Sequence, residues 1–177
     1  MKNLIQIISA ALILIFMNAC TSASNIPSQK VTDLLQSDEF TFMAERANPT
    51  GGDVINVLNS LPNSSSSRML NLDYGYTLQI KKNELKAELP YFGRMFNPSY
   101  DTSKNSYRFT SKDFSVLKAE GKKGSAVYSW APKDLQNIRK INLEVFKNGK
   151  AYLSIDSNDR QPISYDGYIM ENLPPKK

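Results

Sequence analysis

The chain has 177 residues, of which 41% are hydrophobic and 22% charged, and its 22 Lys and Arg against 17 Asp and Glu leave a net charge of +5. This is ordinary globular composition at the size of one domain. It argues against a mostly disordered chain or a many-pass membrane protein, and the basic surplus is too small and scattered to point to nucleic acid. With no histidine and one cysteine, Cys20, a Ser-His-Asp triad, a Cys-His pair and a His- or Cys-ligated zinc site are all excluded within the chain.

Lys2 leads into an apolar run over residues 4–17, interrupted at Gln6 and Ser9, and Ala19, Cys20, Thr21 and Ser22 follow. This is the anatomy of a signal peptide, and about 14 apolar residues fall short of the roughly 20 that a spanning helix needs. The expectation is export. Cys20 stands directly after Met17-Asn18-Ala19, the place of the lipidated cysteine in a bacterial lipoprotein, although Leu is usual where Met17 stands and a small residue where Asn18 does. Cleavage after Ala23 would instead discard Cys20; lipidation is favoured because the one cysteine falls at this one position. Residues 1–19 are therefore read as a signal peptide, 20–29 as a lipid-anchored tether and 30–177 as a single β-rich domain. Acyl chains on Cys20 contribute about 0.8 kcal/mol per buried methylene, enough together to anchor the protein without a spanning helix.

Behind Ser28, Val31, Leu34 and Leu35 sit at helical spacing with Asp33 in the first turns, which predicts a short amphipathic helix running into Asp38. Phe40, Phe42 and Ala44 alternate with Thr41, Met43 and Glu45 as in a strand, and Asn48-Pro49-Thr50-Gly51-Gly52 stops it. Residues 54–61 have no clean period, and 64–67 read as an exposed loop. From Tyr74 onward the chain is β in character. Tyr76, Leu78 and Ile80, then Leu85, Ala87 and Leu89 beyond Lys81-Lys82-Asn83, predict a hairpin. Further strands are expected over 107–110, 114–119, 125–131, 141–146, 151–156 and 163–169.

The turn at Asn148-Gly149 decides which side chains share a face. A two-residue turn there would pair Lys147 with Lys150 and Leu143 with Ser154, mixing apolar with polar. A three-residue loop Lys147-Asn148-Gly149, with Gly149 left-handed in a bulge, pairs Phe146 with Lys150 and aligns Ile141 with Ile155, Leu143 with Leu153 and Val145 with Ala151. The second register makes one face wholly apolar and is the one expected. About nine short strands with frequent turn signals predict an antiparallel β-sandwich or small β-barrel with one short N-terminal helix.

The segment Leu89-Pro90-Tyr91-Phe92-Gly93-Arg94 combines a proline that ends a ladder, two aromatics, a glycine and a guanidinium; Met95, Phe96, Pro98 and Tyr100 extend it into an aromatic-rich loop. It is either a hydrophobic plug closing one end of the sheet, with Arg94 stacked on a tyrosine or paired with a carboxylate, or a binding site; the plug is the plainer reading. Arg160, between Asp159 and Gln161, can recognise an anionic group or form an ordinary salt bridge. Tyr165 and Tyr168 face opposite ways on one strand, so at most one of them lines a site shared with the loop. The candidate binding residues are Tyr91, Phe92, Arg94, Tyr100, Arg160 and Tyr165. No pair of carboxylates is singled out for acid and base work, no EF-hand loop, phosphate-binding glycine loop or serine elbow occurs, and neither a catalytic residue, a metal nor a cofactor is expected. Gly121-Lys122-Lys123-Gly124 reads as a solvated basic hairpin tip.

Three blocks, Leu89-Pro90-Tyr91-Phe92-Gly93-Arg94, Asn148-Gly149-Lys150-Ala151 and Asn158-Asp159-Arg160-Gln161-Pro162-Ile163-Ser164-Tyr165-Asp166-Gly167, resemble the signature of the Bacteroidota family catalogued as domain of unknown function 4251. The resemblance runs over roughly residues 40–171, with Met95 where a smaller residue is usual. It implies an exported or lipid-anchored single domain and transfers no catalytic residue. Thr21-Ser22-Ala23-Ser24-Asn25 lacks the acidic residues by which this phylum's surface-exported lipoproteins resemble one another, so a periplasm-facing place in the cell envelope is favoured over the cell surface. The expected function is that of a lipid-anchored, non-enzymatic envelope module binding a protein, glycan or peptide partner through loops. The alternatives are a carrier of apolar ligands in a barrel interior and a carboxylate-based hydrolase. The expected partners are the membrane, through Cys20, and an envelope protein, glycan or peptide, with no nucleic acid.

Overall fold

The computed structural model describes residues 26–62, 65–96 and 105–172. Helix α1 (Ser28–Ser37) leads into strand β1 (Phe40–Pro49), and helices α2 (Gly52–Ser60) and α3 (Ser66–Leu70) follow. The rest is strand after strand: β2 (Thr77–Lys81), β3 (Glu84–Pro90), β4 (Ser106–Ser111), β5 (Phe114–Glu120), β6 (Ala126–Pro132), β7 (Ile138–Val145), β8 (Lys150–Ser157) and β9 (Ile163–Met170). The leader, Cys20 and Tyr100 lie outside the described residues.

Each strand of this set pairs antiparallel with its neighbours in one sheet, in the order β4-β3-β2-β1-β9-β8-β7-β6-β5, which curls into a nearly closed barrel with β4 and β5 at its edges. Of the two architectures the sequence admits, the chain takes the barrel-like one. β1 makes the curl continuous: it pairs with β2 on one side and β9 on the other and carries a bulge between Ala44 and Arg46, the device that sharpens local twist. Period-two alternation turns Phe42, Leu78, Leu85, Trp130, Leu143 and Tyr165 inward, where they are buried in one continuous cluster.

The β7–β8 hairpin has the bulged register. Ile141 faces Ile155, Leu143 faces Leu153 and Val145 faces Ala151. Phe146 N–H donates to the Lys150 carbonyl at 2.8 Å, Gly149 N–H donates to the Phe146 carbonyl at 2.9 Å, and Gly149 has φ +81°. Leu143 and Leu153 are fully buried, as that alignment requires.

The sequence predicts one helix, whereas the described residues contain α1, α2 and α3. α2 occupies the stretch without a clean period: Leu58 is buried and Val54 and Ile55 are partly so, but Val57 stays exposed, which blurs the apolar stripe. α3 takes up the end of the serine run expected as a loop, because Ser65 accepts the Arg68 N–H and caps it. α1 begins at Ser28 and Ile26 already packs on the core, so the folded body starts inside the stretch read as tether.

α1 covers one end of the barrel. Val31 and Leu34 are buried, the Tyr128 hydroxyl donates to the Leu35 carbonyl at 3.1 Å, and Gly149 in the β7–β8 turn lies against Ile26 and Val31. The β8–β9 connection lies at the other end of β8, about 25 Å away at the usual rise per strand residue. Among the described residues no helix is long and apolar enough to cross a membrane.

Candidate functional site

At that second end the loop leaving β3 meets the β8–β9 connection. Pro90 closes the β3 ladder with β4, and its carbonyl accepts the Tyr165 hydroxyl at 2.6 Å. Beyond it the two segments pair briefly, Met95 bridging Arg160, with Phe96 N–H donating to the Asp159 carbonyl at 2.8 Å and Gln161 N–H donating to the Arg94 carbonyl at 3.0 Å. The Tyr91 hydroxyl sits within donating distance of the carbonyls of Arg94 (2.9 Å) and Gln161 (3.0 Å).

Arg160 is the centre of this clasp. Its side chain is only 7% exposed, and Nε and one terminal nitrogen donate to the two Asp159 carboxylate oxygens at 3.1 and 2.9 Å. The guanidinium carbon lies 5.0 Å from the ring centroids of both Tyr91 and Tyr107, rings that meet edge to face at 5.6 Å. Burial works against the Arg160 charge, but the hydrogen bonds and charge of Asp159 outweigh it and raise its pKa. Burial also pushes up the hydroxyl pKa values of Tyr91, Tyr107 and Tyr165, so these phenols stay neutral donors at physiological pH. The Tyr107 hydroxyl shares a 2.9 Å hydrogen bond with Ser157.

Five of the six candidate residues are thus brought to one end of the barrel, and Tyr100 lies outside the described residues. Their roles differ. Tyr165 is fully buried and roots the loop, and Arg160 holds its two sides together. Phe92 is half-buried, while Arg94 is 65% exposed and ion-paired with Asp53 of α2 at 2.6 Å. Phe96, named in the loop but not as a candidate, is 56% exposed. Beside the clasp runs a groove of about 360 Å³ lined by Tyr107, Phe109, Leu135, Ile138 and Arg160 among others. At the mouth of the groove Asp134 accepts from Ser111 Oγ (2.6 Å) and from the N–H groups of Lys112 (2.7 Å) and Asp113 (3.2 Å), bonds that lower its pKa. The sequence reading missed Tyr107, Ser157, Asp53 and Asp134 as parts of this end. Of these only Tyr107 had a signal, as an aromatic of a predicted strand; Asp53 meets Arg94, Ser157 meets Tyr107 and Asp134 meets Ser111 across long sequence separations.

The family described as Domain of unknown function (DUF4251) matches residues 24–169. The chain is a DUF4251 protein. All the clasp residues fall inside the matched range, and Cys20 precedes it. A DUF4251 family protein from Bacteroides eggerthii DSM 20697, known from its crystal structure, is similar at 12% identity over 81% of this chain and 87% of that chain, with a TM-score of 0.48. No curated protein matches this DUF4251 chain.

Proposed function

We propose that this DUF4251 protein is a lipid-anchored, non-enzymatic module of a Gram-negative envelope, facing the periplasm, that binds an envelope protein, glycan or peptide through the loop carrying Arg94 and Phe96. The observation that carries this reading is a division within one loop. Its backbone is fixed by Tyr91, Arg160 and Tyr165, while the Phe96 ring and the Arg94 guanidinium are largely open to solvent. A contact surface already held in place loses little conformational freedom on binding, and aromatic and arginine side chains dominate interface energetics.

Two further features support it. The chain enters at the α1 end, so a lipid on Cys20 would tether that end and leave the loop at the other. Among the described residues, the carboxylates at the loop, Asp53 and Asp159, are each engaged by an arginine rather than by one another, which suits a structural role better than acid and base exchange. The apolar cluster filling the barrel interior favours partner binding over carriage of an apolar ligand.

Arg94→Ala and Phe96→Ala, made in the whole chain, should lose crosslinked partners in the native envelope while stability stays within about 1 kcal/mol, the worth of a surface ion pair. Lys122→Ala and Lys123→Ala should change neither. An unchanged partner set in the first two variants would end the reading. The anchor is tested separately by detergent phase partitioning: Cys20→Ala should move to the aqueous phase, and partitioning like the wild type would refute lipidation.

A further inference from the structure

The sheet has two edges, and they are not equally bare. Beside β4, Arg160 reaches the Ser106 carbonyl at 3.5 Å and Asp134 takes the N–H groups just beyond Ser111. Among the described residues β5 has no comparable cover. Lys133 N–H donates to the Asp113 carbonyl at 2.8 Å and Gly121 N–H donates to the Ser125 carbonyl at 2.7 Å; with the register of Ser115 on Ala131 and Leu117 on Ser129, these bonds assign the odd-numbered residues to the β6 ladder. Ladder alternation then turns the N–H and C=O of Phe114, Val116, Lys118 and Glu120 to the open side. Beyond Phe114, which packs on the core, the strand is also exposed on its faces, with Val116 47% and Leu117 68% exposed. Such an edge is a template for another strand.

We infer that two copies of this chain pair antiparallel through their β5 edges about a two-fold axis, an interaction distinct from the loop proposed above to bind a partner. The strand is complementary to itself, as an isologous interface requires. Main-chain bonding demands even-numbered residues opposite even-numbered ones, and one register uses all 7 residues of the strand. It sets Leu117 opposite Leu117 on the axis, Val116 opposite Lys118, Ser115 opposite Ala119 and Phe114 opposite Glu120. Every outward N–H and C=O then finds a partner, the exposed Leu117 side chains meet on the outer face, and no like charges stand directly opposite. The next register towards the C-terminus would put Lys118 against Lys118, and the next the other way shortens the overlap. A lysine commonly guards an edge, but Lys118 is held aside, 2.5 Å from Asp38 and over the Tyr128 ring at 5.6 Å.

Residues opposite one another in a pair without main-chain bonds have Cα atoms about 4.5 Å apart, inside the disulfide window of about 4.4–6.8 Å. In the whole chain carrying Cys20→Ser, Leu117→Cys should therefore crosslink to itself under mild oxidation. Ser115→Cys and Ala119→Cys should each stay monomeric alone and crosslink when mixed. Crosslinking of Leu117→Cys no greater than that of the exposed control Lys123→Cys, or equal at every position, would overturn the register. As a second measurement, the wild-type whole chain in detergent should sediment as a dimer. Val116→Pro, which removes an N–H facing away from the β6 ladder, should sediment as a monomer with native circular dichroism. A monomeric wild type, including one that instead takes up an extended peptide, or a dimer that survives Val116→Pro, would overturn the pairing.

Discussion

The guanidinium carbon of Arg160 lies 5.0 Å from the centroid of the Tyr91 ring, and through it the β8–β9 connection holds the loop that follows β3. Arg160→Ala leaves Asp159, itself only 21% exposed, without a partner and two rings without their cation. Equilibrium denaturation should register a loss of about 2–4 kcal/mol. Arg160→Lys keeps the charge but not the bidentate fork, and should recover only part of it.

The bulged hairpin makes a second comparison. Leu143→Ala and Leu153→Ala each empty a fully buried position and should cost about 2–5 kcal/mol. Glu144→Gln, on the opposite face and half-buried, keeps an acceptor for the Ser125 hydroxyl now 2.6 Å away and should cost well under about 1 kcal/mol. Equal, small losses at Leu143 and Glu144 would mean that the faces are reversed.

The strands were legible because each buries one face, so that alternation and turn chemistry point the same way; Leu143 and Leu153 could be paired from the sequence on that ground alone. α2 was not, since Val57 and Leu61 leave apolar residues in solvent and spoil the helical stripe. The clasp was legible in its parts and not in its roles. Tyr91, Arg160 and Tyr165 could be listed as one aromatic and basic set, but whether each faces a partner or the core depends on where Tyr107 and Pro90 come to lie, contacts set by strand order rather than by local pattern. Sandwich and barrel were inseparable for the same reason, because the β1 bulge and the pairing of β1 with β9 are long-range features.

Stability against pH follows from the buried phenols. Burial raises the pKa of Tyr91, Tyr107, Tyr165 and Tyr128, the last to about 12. The folded state therefore keeps protons that the unfolded chain gives up near pH 10, so stability is intact below about pH 10 and falls as the pH rises towards the folded-state values. On the acid side the lowered pKa of Asp134, caused first by the Ser111 hydrogen bond, gives a contribution present above about pH 4 and lost below it. With no histidine in the chain, urea midpoints should be flat from about pH 5 to 9 and should drop above about pH 10 together with tyrosine ionisation. A drop between about pH 6 and 8 would contradict this assignment.

The reading that a partner docks on the exposed Arg94 and Phe96 side chains is tested most directly by placing a photo-activatable phenylalanine analogue at position 96, and separately at position 123, in the whole chain in its native envelope. Phe96 is an exposed side chain of the clasp and Lys123 stands at the basic turn between β5 and β6. The result expected is a discrete set of adducts from position 96 that Arg94→Ala abolishes, with none from position 123. Adducts from position 123 alone, or from neither position, would contradict the account.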